Sequence, residues 1–242
     1  MKKWLQSKML VGTQNQQCRE EWLQQILKKV PQGSRILDAG AGELAYKKFC
    51  THLEYVAQDF GQYDGIGNND GLQTGAWDNS KIDIVSDIVQ IPEPDKSFDA
   101  IMCIEVFEHL PNPVAAIVEF SRLVKDDGFL ILSAPFCSLT HFAPYHFYTG
   151  FNRYFYEKHL TENQFEIVEL AYNGNYFEYV AQELRRVKSC AKRYSNMRLS
   201  VLDKVFIYFI LRKLEKLSQK GKSSEELLSF GIHILARKRA DR

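Results

Sequence analysis

Ile36-Leu37-Asp38-Ala39-Gly40-Ala41-Gly42-Glu43 decides the fold: an apolar strand runs into a carboxylate and then into two glycines one residue apart. Glycine turns sharply at positive φ and lacks the Cβ that would hold a ligand off the backbone. The spacing predicts a strand-to-helix turn that brings main chain close to a nucleoside-type cofactor. The N–H groups of the next helix, expected at Glu43 to Cys50, would be aimed at that ligand.

Outward from this turn, short apolar runs recur at Arg35–Leu37, Tyr55–Ala57, Ile82–Val85, Ala100–Ile104 and Phe129–Ser133 and read as buried strands. A helical pattern at Val114–Val124 lies between the last two. An earlier helix is expected within residues 13–30, where Trp22, Leu23, Ile26, Leu27 and Val30 share one face. Strand, helix, strand repetition predicts an α/β fold built on a parallel sheet with right-handed crossovers.

The chain has 242 residues, 45% hydrophobic and 25% charged, with a formal net charge of +1. It is long enough for one large domain with a core, and no global charge advertises nucleic acid. The basic start, Met1–Leu10, is broken by Gln6, Ser7 and Lys8 before any apolar stretch, so it does not read as a secretion signal. Five scattered cysteines without a Cys-x-x-Cys pair read as reduced thiols, and a cytoplasmic protein is expected.

Three regions interrupt the pattern. Residues 60–80 carry Gly61, Gly65, Gly67, Gly71 and Gly75 among Asn and Asp and predict a long irregular loop with a task of its own. Its acids lack the alternate spacing of a calcium loop. Residues 138–159 are dense in aromatics and histidines. Residues 176–226 form a basic, helix-prone insertion between the last two strand candidates, Phe165–Leu170 and Phe230–Ala236, with an apolar centre at Val201–Leu214. A solvated face, a peripheral membrane contact or a homodimer through residues 185–222, and, less favoured, a nucleic-acid contact all fit that composition.

The acids after each strand carry the chemistry. Asp59 follows the second strand, where a carboxylate can accept from both hydroxyls of a ribose. Asp87 follows the third, where a carboxylate and the N–H of Ile88 can read an adenine. Gly40-x-Gly42-x-x-Ala45 satisfies a permissive dinucleotide fingerprint, which keeps NAD in contention. Asp38, two residues before the first glycine, instead suits a cationic ligand with an amino-acid tail, such as S-adenosylmethionine.

The succession of Ile36 to Gly42, Asp59, Ser86-Asp87-Ile88, Ile91-Pro92 to Phe98-Asp99-Ala100, and Glu105-Val106-Phe107-Glu108-His109-Leu110 before Pro111-Asn112-Pro113 resembles the ordered motifs of class I S-adenosylmethionine-dependent methyltransferases. The resemblance covers residues 35–135. A looser likeness in Ala134-Pro135-Phe136, His141, Pro144, Tyr148 and Arg153-Tyr154 is to bacterial small-molecule and cell-surface glycan methyltransferases. It implies a three-layer Rossmann-like sandwich, a seven-stranded mostly parallel sheet with an antiparallel last strand, and a helical insertion at 176–226 where the family has a short hairpin. The whole chain, 1–242, is expected to be one methyltransferase domain.

The resemblance further implies cofactor contacts from Asp38, Gly40, Gly42, Asp59, Asp87, Ile88, Cys103 and Glu105. Leu44 stands where the family usually has a further glycine. The acceptor, a small molecule or glycan-type intermediate methylated at oxygen, is expected in the loop after strand five. His141 or His146 would be the base there, with Tyr145 and Arg153 holding the substrate. Glu105, Glu108 and His109 would share one face of a helix starting at Glu105. Their run also resembles metal-using methyltransferases, with His141 or His146 as a third-strand ligand. Closing the methionine side of the pocket without a metal is the preferred reading. The rivals are an NAD-dependent oxidoreductase or epimerase, an RNA 2′-O-methyltransferase, and a non-catalytic binding protein of the same fold.

Overall fold

The computed structural model describes residues 9–240. Most of the Met1–Leu10 stretch, read for a secretion signal, lies outside them. The chain divides into two units, one of the residues up to Arg19 with Tyr172–Phe230, the other of Glu20–Ala171 with the segment from Gly231 onward.

The larger unit is built on a seven-stranded sheet in the order β3-β2-β1-β4-β5-β7-β6. Its strands are β1 (Arg35–Ala39), β2 (Glu54–Asp59), β3 (Ile84–Val85), β4 (Phe98–Ile104), β5 (Val124–Pro135), β6 (Phe165–Asn173) and β7 (Gly231–Lys238). The pairs β1·β2, β1·β4, β2·β3 and β4·β5 are parallel, and β7 runs antiparallel to β5. This is the α/β fold on a mostly parallel sheet that the alternating apolar runs predict.

Most strands run further than their apolar cores, because paired ends need no apolar side chain. The third is the exception. Only two of the residues in Ile82–Val85 form a strand, because the Asp83 carboxylate takes the Ala57 N–H at 2.8 Å where a backbone carbonyl would continue the ladder.

Helix α1 (Asn15–Leu27) buries Trp22, Leu23, Ile26 and Leu27. These four, with Val30, pack against Ile36, Ala100, Met102, Ile104, Ile131 and Leu235. The Trp22 ring stacks on His233 with centroids 4.7 Å apart, and its Nε1–H donates to Glu169 at 3.0 Å. Helix α2 (Pro113–Leu123) opens with Pro113 and is capped by Asn112, whose side chain accepts from the Ala115 N–H. Its buried residues include Ala116, Ile117, Phe120 and Leu123, and α3 (Arg153–Glu162) lies beside it.

The helix expected at Glu43–Cys50 does not form. Leu44 sits at φ +59°, which ends any right-handed helix at its start, and only a 3-10 turn at Lys47–Phe49 follows before Cys50 enters the core.

In the smaller unit the basic insertion is helical, as its composition predicts. Helix α4 (Tyr176–Tyr194) is capped by Asn175, and α5 (Val201–Lys220) by a Ser200–Asp203 capping box. Leu211 and Leu214 of α5 and Ala181 of α4 share a buried cluster with Val11.

Trp22→Ala removes the largest side chain of the α1 face and is expected to cost about 3 kcal/mol in urea unfolding. A loss below about 1 kcal/mol would contradict the role given to that face.

Candidate functional site

Strand order reverses between β1 and β4, and in an open parallel sheet the crevice beyond such a point is where a ligand fits. The glycine turn after β1 lies there. A Cβ on Gly40 would come within 2.5 Å of the Val106 side chain, just past β4, so the turn must be side-chain-free to sit this close. Gly42, at φ +50°, is covered by the edge of Trp77, 2.5 Å from where its Cβ would be.

The turn's N–H groups point inward. Gly40 and Ala41 donate to the Gln58 carbonyl at 2.9 and 2.8 Å, and Gly42 donates to Asp59 Oδ2 at 3.0 Å. With these donors spent and no α-helix behind them, the turn offers no cradle for a pyrophosphate, which corrects the expectation of helix N–H groups aimed at the ligand. Leu44 itself holds φ +59°, a left-handed backbone that glycine adopts readily and that costs a leucine about 1 kcal/mol.

Asp59 is nearly buried, and its other oxygen accepts from the Gly61 N–H at 2.9 Å. Each carboxylate oxygen has two lone pairs, so one per oxygen is left for a ribose hydroxyl. Asp38 is buried one strand away and accepts a 2.5 Å hydrogen bond from Tyr55 Oη. Burial pushes its carboxyl up to about 7, against the opposing pull of the Tyr55 hydroxyl. Cys103 is fully buried in β4, with its thiol pushed up by burial. Asp87 is exposed and accepts from the Val89 N–H at 3.1 Å, while Ile88 is buried beside it.

Glu105 sits at φ +58°, so no helix starts there, and the expected single helical face for Glu105, Glu108 and His109 is not what brings these residues together. Sheet pairing prevents the helix: the Glu105 N–H still donates to the Ser133 carbonyl at 2.7 Å. Glu105 Oε1 also accepts from Ser133 Oγ at 2.7 Å, and that hydroxyl in turn accepts from His233 Nδ1 at 2.9 Å. Non-glycine residues held in this region of φ concentrate at functional sites.

A 3-10 turn at Phe107–His109 then carries Glu108 and His109 toward His141. Ligand atoms of Glu108, His109 and His141 all lie within 4.8 Å of one another. Glu108 is 1% exposed, and its Oε1 is 3.7 Å from Nε2 of both histidines. His109 Nδ1 bonds the Tyr145 carbonyl at 2.5 Å and His141 Nδ1 bonds the Leu139 carbonyl at 2.8 Å. A carbonyl only accepts, so each Nδ1 carries its hydrogen and each Nε2 presents a lone pair to the cluster.

Among the described residues, Glu108 Oε2 and His109 Nε2 are buried without a hydrogen-bond partner. Burial and the neighbouring His141 push His109 down to about 3. Burial would also lower His141, but the Glu108 carboxylate, the Leu139 carbonyl and the Glu105 charge together outweigh it and hold His141 above its ordinary value. Burial raises Glu108 itself.

His146 adjoins the cluster, 4.9 Å from His141 between ring centroids, with Nε2 3.1 Å from Ser138 Oγ. The Tyr145 ring meets Phe60 edge-on at 4.9 Å. Arg153 lies at the start of α3, where it pairs with Glu157 at 2.6 Å and stacks over Tyr154.

The loop over residues 60–80 forms the opposite wall. Leu72 pairs with His141 in a parallel bridge, Leu72 N–H donating to Thr140 O and Phe142 N–H to Leu72 O. Gly71 allows it, since a Cβ there would strike the Thr140 carbonyl. Tyr63, Trp77 and Phe142 stack around the same contact, with centroids 4.7 to 5.4 Å apart. On the other side, the Phe147 and Tyr148 N–H groups donate to the Glu108 carbonyl. Sequence reasoning missed Trp77, Tyr63 and the central place of Glu108. The glycine density of the loop signalled irregularity but not its partner.

Asp38 gives a pH test. Its folded pKa lies above its ordinary 3.8, so its contribution to stability is fully present below about pH 4 and is lost as pH rises through about 7. Urea unfolding of the cofactor-free protein should show Asp38→Asn gaining on the wild type between pH 5 and 8, on the order of 2 kcal/mol. A constant difference across that range would contradict the buried, raised carboxyl.

Residues 11–190 match the family model described as a methyltransferase domain. The ubiquinone biosynthesis O-methyltransferase of Xanthomonas oryzae pv. oryzae is 32% identical over 104 residues, 42% of this chain and 43% of that protein. That of Dechloromonas aromatica is 32% identical over 119 residues, 48% and 49% of the two chains. The matches span less than half the length of either relative. Among solved structures, a SAM-dependent methyltransferase from Archaeoglobus fulgidus superposes with a TM-score of 0.53 at 17% identity, covering 93% of this chain and 97% of its own. The [4+2]-cyclase SpnF reaches 0.53 at 16% identity over 93% and 83% of the two chains, so this likeness speaks for the fold alone. The family match sets aside the nicotinamide alternative in favour of S-adenosyl-L-methionine as the cofactor: the chain belongs to the class I S-adenosylmethionine-dependent methyltransferases.

Proposed function

We propose that this chain transfers the methyl group of S-adenosylmethionine to a hydroxyl oxygen of a small molecule bound beside Glu108, His109 and His141. The observation that carries this reading is the convergence of the three side chains within 4.8 Å, with the Nε2 lone pairs of both histidines turned inward. The relatives' activity as O-methyltransferases supports oxygen as the acceptor atom.

On this reading Asp59 receives the ribose hydroxyls and Asp38, buried and ready to ionise, receives the cationic amino-acid tail. The acceptor hydroxyl attacks the sulfonium methyl in line. The oxygen–carbon bond forms as the carbon–sulfur bond breaks, the sulfur keeps the electron pair, and His141 Nε2 takes the hydroxyl proton. Glu108 raises the proton affinity of His141 and stabilises the imidazolium that results. The loop of residues 60–80 and the aromatic side chains Tyr63, Trp77 and Phe142 exclude water, and alignment supplies much of the acceleration.

The unpartnered Glu108 Oε2 and His109 Nε2 favour a second component. Glu108, His109 and His141 fit a divalent cation of the magnesium or manganese class, a mixed carboxylate and imidazole donor set. When bound, such an ion would occupy the Nε2 lone pairs, so that its Lewis acidity, which lowers the pKa of the acceptor hydroxyl, would take the place of His141 as base and the proton would pass to solvent.

Turnover should be assayed with labelled S-adenosylmethionine and simple phenols and catechols as probes. His141→Ala is expected to lower kcat by about 100-fold while cofactor affinity stays as in the wild type. Full activity in that variant would remove His141 from the reaction. Turnover lost to EDTA and recovered with Mg²⁺ or Mn²⁺ would assign a cation to the cluster, and turnover indifferent to EDTA would leave the proton to His141 alone.

A further inference from the structure

Within the smaller unit, α5 has two different faces, one packed against α4 and one turned away from it. Ile207, Leu211 and Leu214 pack into the cluster with Phe177, Val180, Ala181 and Leu184. On the opposite side, Leu202, Val205, Phe206 and Phe209 recur at helical spacing and form one stripe. They stand in solvent, with Phe206 59% and Phe209 65% exposed. Further along, the same stripe changes character, because its positions are filled by Lys213, Lys216 and Lys220. The face is apolar in its first half and basic in its second.

The end of α4 adds to the apolar half. Tyr194, the last residue of α4, and Met197, in the turn leading to α5, are 67% and 65% exposed. Residues 185–222 hold twelve Lys and Arg against two carboxylates, in a chain whose total formal charge is only +1. Both carboxylates are engaged locally: Asp203 in the capping box with Ser200, and Glu215 at 2.9 Å from Arg212. Exposed aromatics concentrate at one end of the hairpin, and the charge around them is predominantly cationic.

Charge selects the occupant. A second copy of the chain on this face would bring two strongly cationic hairpins together, which costs association. An anionic bilayer surface meets both halves of the stripe: acyl chains take the aromatics and headgroups take the lysines. No described helix is long and apolar enough to cross a membrane, so α5 would lie on the surface. We propose that the tip of the α4–α5 hairpin docks on anionic lipid through Tyr194, Met197, Leu202, Phe206 and Phe209, with Lys213, Lys216 and Lys220 at the headgroups.

The test is co-sedimentation of the full chain with phosphatidylcholine vesicles, with and without phosphatidylglycerol. Binding is expected to be at least about tenfold tighter with phosphatidylglycerol and to weaken as salt is raised. The double variant Phe206→Asp, Phe209→Asp should lose about tenfold or more, and Lys213→Glu with Lys216→Glu a similar factor. Both should melt and bind S-adenosylmethionine as the wild type does. No sedimentation with phosphatidylglycerol vesicles at low salt, or binding indifferent to the Phe206 and Phe209 changes, would overturn the proposal. So would a dimer in light scattering that the same double variant dissolves. The readout needs no methyl acceptor, so its failure leaves the methyl-transfer reading untouched.

Discussion

The Asp59 carboxylate accepts from Gly42 on one oxygen and from Gly61 on the other. It thereby ties the turn after β1 to the start of the loop over residues 60–80. Hydrogen bonds to a nearly buried charged group rank among the stronger contributions to folding, about 1.5 to 3 kcal/mol each. Everything at the site depends on that anchor: Gly42 is held under Trp77, the loop leaves β2 in the direction of residues 138–148, and the Leu72–His141 bridge closes the far end. One carboxylate at the end of a strand positions both the glycine turn and, through the loop and its bridge at Leu72, His141.

A second constraint is electrostatic. Glu108 is buried beside two imidazoles, and an unpaired buried carboxylate would be far too costly to retain for packing alone. Both Nδ1 atoms are fixed by backbone carbonyls, so the cluster cannot relieve itself by a tautomer change. The result is a site held in readiness for a proton or a cation. Asp38 follows the same logic: burial raises its carboxyl to about 7, and a cationic partner would favour its ionised form at neutral pH.

The sheet was legible in the sequence because its strands are continuous apolar runs, and α1 because Trp22, Leu23, Ile26 and Leu27 repeat at helical spacing. The turn after β1 was legible from Gly40 and Gly42, both at positive φ. The path of the chain beyond the turn was not, since Leu44 and Glu105, both at positive φ, break helices that local spacing allows. Tertiary bonds decide both places, and a spacing rule cannot see them. The pairing of Leu72 with His141 joins segments some seventy positions apart, and glycine content marks a loop without naming what it touches. The insertion's helices were legible from composition, whereas the split of the outer α5 stripe into apolar and basic halves emerges only once the buried face is known.

Calorimetric titration of S-adenosylmethionine into Asp59→Ala, alongside the wild type, tests the central role of that carboxylate most directly. The variant should bind at least about tenfold more weakly, because it loses acceptors for the ribose and the tie that shapes the glycine turn. An unchanged dissociation constant would contradict the account.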